Sequence, residues 1–150
     1  MNIILTEEEA NTLLLLEKHY KDDKNFDFPA LGGSIRIPLF SSDNREEFSL
    51  DITRAYVRLN KNSMQHRVRR TMILARIDIE GASHTNPDDK EIPCPHIHLY
   101  KEGFNDKWAY PLPNTFSNTN DILKTLDEFM NYCHIVTKPI ILSSKEGLFL

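Results

Sequence analysis

The sequence predicts an α+β protein: a single domain over residues 1–150, with a twisted antiparallel sheet of about four to six strands. Leucines recur at helical spacing near the N-terminus, and an apolar stripe recurs near the C-terminus, so we expect a helix at each end. Between these segments apolar and polar residues alternate, as in strands with one buried face. We expect both helices to pack on that apolar face and to leave the other face free.

The two helices are predicted from capping residues and apolar spacing. Thr6 followed by Glu9 forms a capping-box pattern at the start of the first helix. Asn118 or Thr119 is expected to cap the second helix, over residues 120–134, where an apolar stripe includes Phe129. A break at Lys138–Pro139 ends this pattern, and a short strand can follow it.

The first strands of the sheet are predicted from alternation. Apolar residues alternate with polar ones from Ile35 to Leu39, and Pro38 indicates an edge strand because proline cannot donate to a ladder. A second strand follows from Phe48 to Ile52. The apolar parity then switches at Ala55, which predicts a bulge near Thr53–Arg54. That bulge would place three side chains on the less apolar face: Arg54, Tyr56 and Arg58.

Composition limits the classes of protein that this chain can be. With 150 residues, 40% of them hydrophobic, the chain has enough apolar material for one core. The longest apolar run is Leu13 to Leu16, whereas a membrane span needs about 20 residues. The N-terminus lacks the pattern of a signal peptide, and two cysteines do not make a disulfide framework. We therefore expect a cytoplasmic protein that makes no membrane contact, and we expect no cofactor.

Charge is distributed unevenly along the chain, although the formal net charge is only −4. Residues 52–77 contain no Asp or Glu and carry +7, so the remaining residues carry −11. Six of the seven basic residues are arginines, whose planar fork suits phosphate or carboxylate. A local anionic partner or a solvated basic hairpin would each explain this segment. Its basic residues are Arg54, Arg58, Lys61, Arg67, Arg69, Arg70 and Arg76.

Two neighbouring strands bring together the residues that could do chemistry. One strand lies within residues 70–81 and the next within residues 94–100, joined by a polar loop over 81–93 that contains His84. Because side chains on a strand alternate between faces, pairing of these strands would place five side chains on one open face. These are Arg76, Asp78, His96, His98 and Tyr100.

Three interpretations of this face remain open. The first is metal-independent cleavage of RNA, in which His96 and His98 act as acid and base and Arg76 stabilises the charge on phosphorus. The second is a metal site, since Cys94, His96 and His98 are spaced two apart beside Asp78. The surrounding arginines disfavour a divalent cation there. The third is a binding surface that catalyses nothing.

Trp108 and Lys107 form a basic–aromatic pair that could hold a phosphate and stack an unpaired base. Trp108 could equally close the core beside the second helix.

Residues 66–113 contain four motifs in order: R-x-D, H-x-N-P-D, P-H-x-H-x-Y and K-W-A-Y-P-L. This pattern is similar to that of a family of small uncharacterised proteins from phages and mobile elements of Gram-positive bacteria. It also resembles, more loosely, toxin-like families with a PHxH strand. Carried over by position, the pattern falls on Arg76, Asp78, His84, Asn86, Pro87, Asp88, Pro95, His96, His98, Tyr100, Lys107 and Trp108. This resemblance implies a mobile-element protein that acts as a toxin or a counter-defence factor, and some small phage proteins inhibit CRISPR effectors.

Together these observations predict an RNA-binding protein with a ribonuclease-like site and no metal. Asp78 would orient an imidazole, and Tyr100 would complete the site with Arg76, His96 and His98. The RNA strand would be held by Arg54, Arg58, Lys61, Arg67, Arg69, Arg70, His84, Lys107 and Trp108. The alternative is a non-catalytic anti-defence inhibitor that binds RNA or a host defence complex such as a CRISPR effector.

Overall fold

The computed structural model describes residues 4–57 and 61–143, which form two helices and several strands. Helix α1 spans Glu7–Leu15, and its capping box is confirmed, since the Thr6 hydroxyl accepts from the Glu9 amide and the Glu9 carboxylate accepts from the Thr6 amide. Helix α2 spans Ile122–Tyr132 and begins at Asp121, whose side chain accepts from the Lys124 amide. The expectation of a cap at Asn118 or Thr119 was wrong.

The described residues contain twelve strands, eight of which form one sheet in the order β10-β9-β6-β5-β4-β3-β1-β11. A parallel pair, β2 with β12, and an antiparallel pair, β7 with β8, lie outside it. In chain order the strands are β1 (Lys18–His19), β2 (Phe26–Asp27), β3 (Ser34–Ser41), β4 (Glu47–Arg54), β5 (Asn62–Val68), β6 (Met72–Asp78), β7 (His84–Thr85), β8 (Glu91–Ile92), β9 (His96–Lys101), β10 (Asn105–Pro111), β11 (Ile135–Thr137) and β12 (Ile141–Leu142).

The α+β class is confirmed, but the main sheet is larger than the expected four to six strands, and it is mixed because β1 and β11 run parallel. Strand β5 was missed because its inward positions include Asn62 and His66 as well as apolar residues. Strand β1 was missed because its buried residue is Lys18, whose ammonium donates to the Leu14 and Cys133 carbonyls. Because polar residues occupy inward positions in both strands, the alternation of apolar and polar residues that predicts a strand is absent there.

Strand β4 shows no change of parity. It ends at Arg54, which lies opposite Asn62 of β5 and is buried on the apolar side of the sheet. Tyr56 and Val57 follow the strand and are exposed. The predicted bulge, and with it the placement of Arg54 on the polar face, was therefore wrong.

The two faces of the sheet differ in character. On one face Ile37, Leu50 and Ile77 belong to a core cluster that also contains Leu13 of α1 and Phe129 of α2. The other face is polar. Strand pairing aligns a row of side chains across five strands of it, from Arg36 through Asp51, Gln65 and Arg76 to His98.

Pro38 lies in the part of β3 that pairs with β4 alone. The other neighbour, β1, pairs with β3 at Phe40 and Ser41. Strand β3 is therefore not the edge strand that was predicted, but the ladder with β1 does not reach Pro38, which fits its missing N–H. Within the described ranges, neither helix has the length and apolar character that a bilayer crossing requires.

Candidate active site on the polar face of the sheet

The predicted pairing of the two chemistry-bearing strands is confirmed. Strands β6 and β9 are antiparallel neighbours, with Arg76 opposite His98 and Asp78 opposite His96. Directly opposed residues share a face of a sheet, so these four side chains converge. We call them the Asp78 cluster.

Asp78 lies at the centre of this cluster. Its Oδ2 atom is 3.2 Å from Nε2 of His96 and 3.1 Å from Nε2 of His98. Arg76 donates to the same carboxylate from Nε, 3.1 Å from Oδ1, and from Nη2, 3.2 Å from Oδ2. The Ser63 hydroxyl donates to Oδ1 at 3.1 Å. One carboxylate thus links a guanidinium, a hydroxyl and two imidazoles.

Backbone carbonyls hold the other nitrogen of each ring. His96 Nδ1 lies 3.1 Å from the carbonyl oxygen of Ile92, and His98 Nδ1 lies 2.8 Å from that of Asp106. A carbonyl oxygen accepts only, so each Nδ1 carries a hydrogen, and any change of protonation falls on Nε2. At His96, Nε2 faces the Asp78 carboxylate at 3.2 Å, so both ring nitrogens lie beside hydrogen-bond acceptors.

His98 has a partner for either state of its Nε2 atom. With a proton there, Nε2 donates to Asp78 Oδ2; without it, Nε2 accepts from Nη2 of Arg76 at 3.0 Å. The ring can therefore bind or release a proton and remain hydrogen-bonded in both forms, as a residue that transfers protons requires.

The carboxyl of Asp78 is held in its charged form. Burial alone would raise its pKa, but the hydrogen bond from His98 and the nearby charge of Arg76 outweigh burial and lower that pKa well below its usual range. Asp78 is therefore an electrostatic and orienting group and does not supply a proton near neutral pH.

Both histidine rings are covered, which differs from the open face that was predicted. His96 is 1% exposed and His98 is 0% exposed, whereas the side chains of Arg76 and Asp78 are each 25% exposed. The segment between β6 and β9 folds back over the rings and forms the β7–β8 hairpin. His84 of β7 lies edge-on to His98, with ring centroids 4.6 Å apart, and its Nε2 donates to the Lys107 carbonyl at 2.7 Å.

Tyr100 does not join the Asp78 cluster, contrary to the prediction. Its hydroxyl donates to the carbonyl of Leu5 at 2.6 Å, and the residue is buried. The end of β9 lies against the N-terminal segment, where the amides of Glu7 and Glu102 each donate to the other residue's carboxylate. Tyr100 therefore has a structural partner 95 residues away.

The residues predicted to hold a strand of RNA are spread over the molecule. The prediction that Arg54 contacts RNA was wrong, because this side chain is buried and donates to the Pro29 carbonyl at 3.1 Å.

The other predicted arginines differ in their partners and exposure. Arg69 forms a forked pair with Glu46, and Arg67 lies 2.6 Å from Asp51. Arg70 remains largely exposed. Arg58 lies outside the described residues.

Trp108 of β10 pairs with Leu99 of β9, the residue after His98. Its side chain therefore lies on the face of the sheet that His98 does not occupy. Its ring packs edge-on against Phe104 and lies beneath the Lys101 ammonium. Lys107 is exposed and its carbonyl accepts from His84, and contact of Lys107 and Trp108 with RNA stays a prediction.

Three groups of the cluster could ligate a metal, since ligand atoms of Asp78, His96 and His98 lie within 4.8 Å of one another. The nitrogens of Arg76, however, already contact both Asp78 oxygens and His98 Nε2. A metal ion would have to displace this guanidinium. Cys94, part of the predicted metal alternative, has a thiol whose pKa is raised by burial and by the charge of Asp78, which disfavours the thiolate that ligates metals.

A cavity of about 280 Å³ adjoins the cluster and gives solvent access to Asp78. Lys61 and Cys94 lie on its wall, and Lys61 is exposed there. Asp106, which sequence analysis did not single out, supports the cluster from β10. Its carboxylate binds Arg76 Nη1 at 2.7 Å while its carbonyl holds His98. No local pattern marks this residue, because its role depends on the pairing of β10 with β9.

Residues 5–135 match the model of a family of unknown function, DUF6978. This match covers most of the chain. The chain belongs to the DUF6978 family. Comparison with curated proteins and with solved structures finds no match. In this DUF6978 protein the matched range includes both strands of the Asp78 cluster, the covering hairpin and Asp106.

Proposed function

We propose that this protein binds RNA across the polar face of the sheet and cleaves it at the Asp78 cluster without a metal ion. It would act for a phage or mobile element as a toxin or counter-defence factor. The observation that carries the proposal is the position of His98 Nε2, within 3.0 Å of Arg76 Nη2 and 3.1 Å of Asp78 Oδ2. A ring with a partner in both protonation states suits the transfer of a proton.

The proposed reaction is the internal transesterification of RNA. A base removes the proton of a 2′-hydroxyl, and that oxygen bonds to phosphorus. The bond from phosphorus to the 5′-oxygen breaks, and an acid returns a proton to the leaving oxygen. His96 and His98 supply the acid and the base, while Arg76 stabilises the extra negative charge on the phosphoryl oxygens. The products are a 2′,3′-cyclic phosphate and a 5′-hydroxyl.

The cavity beside Asp78 is the proposed entry for the reacting phosphate. Lys61 lies on its wall, and Arg76 and Asp78 are partly exposed. Because the β7–β8 hairpin covers the rings, catalysis requires that hairpin to move away from His96 and His98. His84 would then hold RNA at the edge of the opened site.

The first test measures cleavage of single-stranded RNA in excess EDTA. We expect cleavage to 2′,3′-cyclic phosphates, and a combined His96→Ala/His98→Ala change to lower the rate at least about 100-fold. His98→Asn provides a milder second variant with the same expected direction. His19→Ala is the matched control, because His19 bonds to Thr137 and Ser42 far from the cluster along the sheet order. Loss of cleavage in EDTA, with recovery on addition of zinc, would contradict the metal-independent mechanism.

A second candidate is a non-catalytic inhibitor that binds RNA or a host defence complex such as a CRISPR effector. The burial of both rings favours it, since covered and fully hydrogen-bonded imidazoles also suit a structural network. This candidate predicts RNA or an effector complex in preparations from host cells, with no cleavage by the wild-type protein. The ratio of absorbance at the nucleic-acid and protein maxima reports any bound RNA.

A further inference from the structure

A second depression lies on the same polar face, over strands β3, β4 and β5. Its volume is about 310 Å³. Ser49 of β4 pairs with Pro38 of β3 and with Arg67 of β5. On each of these three strands, the residue lies two positions from the member of the polar row that runs from Arg36 to His98. We call this depression the arginine pocket. Its wall includes Arg36, Pro38, Glu47, Ser49, Arg67 and Arg70.

Two buried donors of the arginine pocket have no partner within the described parts of the chain. Ser49 is 8% exposed, and its hydroxyl makes no hydrogen bond there. Nη2 of Arg67 is also buried without an acceptor, although Nε of the same side chain lies 2.6 Å from Asp51. Buried polar groups are normally satisfied, so a hydroxyl and a guanidinium nitrogen left open in one depression indicate a ligand that accepts hydrogen bonds.

The charge of the arginine pocket favours an anion. Arg36 and Arg70 are well exposed at its rim, and Arg67 lies deeper. Glu47, on the pocket wall, is only loosely paired with Arg70 at 3.8 Å. Asp51 lies on the same polar face, 3.5 Å from Nε of Arg36 and 2.6 Å from Nε of Arg67, and partly offsets their charge. Three guanidinium groups around a buried hydroxyl suit the oxygens of a phosphate group.

The turn between β5 and β6 supplies an independent observation. Arg69 and Arg70 both have positive φ, 53° and 68°, a conformation that favours glycine or asparagine. Residues other than glycine are uncommon in this conformation, and such positions cluster at functional sites, where surrounding contacts maintain them. Arg69 pairs with Glu46, and Arg70 lines the arginine pocket.

We propose that the arginine pocket binds a backbone phosphate of the same RNA strand whose reacting phosphate lies at the Asp78 cluster. This inference rests on the proposed function. The row from Arg36 to His98 crosses five strands, a distance of about 19 Å at the usual spacing between strands. A strand that follows this row would be held at one end by arginines and positioned at the other for cleavage.

The test uses inorganic phosphate and a short single-stranded RNA with the full chain. We expect phosphate to shift backbone amide resonances around Ser49 and Arg67. Arg70→Gln should weaken phosphate binding about tenfold or more and reduce the salt dependence of RNA binding by about one ion. Arg45→Gln is the matched control, since Arg45 is an exposed arginine outside the pocket wall. It should change phosphate affinity little.

A second variant separates ligand binding from folding. Ser49→Ala removes the unpaired hydroxyl, so it should weaken phosphate binding without lowering the melting temperature. The inference is overturned if millimolar phosphate causes no shift in the wild-type protein, or if Arg70→Gln and Arg45→Gln behave alike. Phosphate binding in the pocket without RNA cleavage would contradict the proposed reaction alone, whereas cleavage with no effect of Arg70→Gln would contradict the pocket alone.

Discussion

At the scale of single residues, Asp78 holds its cluster together because one carboxylate satisfies Arg76, Ser63 and two histidines. Hydrogen bonds to a charged group stabilise a fold more than neutral ones, and removing one member leaves its partners unpaired. The same residue scale decides the role of Tyr100, whose hydroxyl bonds to Leu5 and does not reach the cluster.

Asp78→Asn should lower the free energy of unfolding at neutral pH by about 2 kcal/mol, because the charged hydrogen bonds are lost. The pKa of Asp78 is lowered by folding, so its contribution is present above the unfolded pKa of about 3.9 and is lost as the pH falls further. Urea unfolding of both proteins should therefore show the difference narrowing below about pH 4. A constant difference down to the lowest pH would contradict this account.

Tyr100→Phe should lower the free energy of unfolding by about 1 kcal/mol, since the Leu5 carbonyl loses its donor. It should leave the proposed RNA binding and cleavage unchanged, because the hydroxyl lies outside the cluster. Parallel urea unfolding and cleavage assays measure both quantities. A loss of cleavage in a well-folded Tyr100→Phe protein would return Tyr100 to the site.

At the scale of elements, the tight turn between β5 and β6 and the β7–β8 hairpin matter most for the site. The turn places Arg70 at the arginine pocket, and it holds Arg69 and Arg70 in the left-handed backbone conformation. The hairpin covers His96 and His98 and brings His84 beside them. Each element is short and local in sequence, and each places an additional side chain on the polar face.

Arg70→Gly should raise the free energy of unfolding by about 1 kcal/mol, because glycine adopts positive φ without strain. The control is Arg45→Gly, which changes an exposed loop arginine without positive φ and should be neutral or slightly destabilising. Urea unfolding compares the two. If Arg70→Gly were the more destabilising change, Arg70 would be a structural residue of the turn.

At the scale of the whole molecule, the large sheet encloses polar groups as well as apolar ones. His66 is fully buried, stacks on Phe48 with ring centroids 5.3 Å apart, and holds the Ser49 carbonyl through Nδ1. Burial, aided by the charge of Lys18, lowers the pKa of His66 to about 3. The folded protein therefore keeps this ring neutral over a pH range in which the unfolded chain binds a proton.

This difference predicts sensitivity to acid. Stability from the neutral His66 is present above the unfolded pKa of about 6.5 and falls by about 1.4 kcal/mol per pH unit as the pH drops towards 3. His66→Gln should flatten this dependence between pH values of about 6.5 and 4, before Asp78 begins to contribute. Chemical unfolding at several pH values measures the slopes. Equal slopes for both proteins would show that another group controls acid stability.

Sequence patterns predicted the features that depend on neighbours along the chain. The capping box of Thr6 and Glu9, and the pairing of β6 with β9, follow from spacing of a few residues and from a connecting loop short enough to return the chain. Alternation failed where a strand buries polar residues, as at His66 and Lys18. It also failed at Arg54, where the expected parity switch assigned the side chain to the wrong face.

The sequence by itself determined that Arg76, Asp78, His96 and His98 share one face, because the period of a strand sets which side each residue occupies. Only the tertiary structure decided how accessible they are and which groups hold them. The covering hairpin, the support from Asp106, and the bond from Tyr100 to Leu5 all join separate segments of the chain. Periodicity fixes the direction of a side chain, whereas its burial and partners depend on what folds against it.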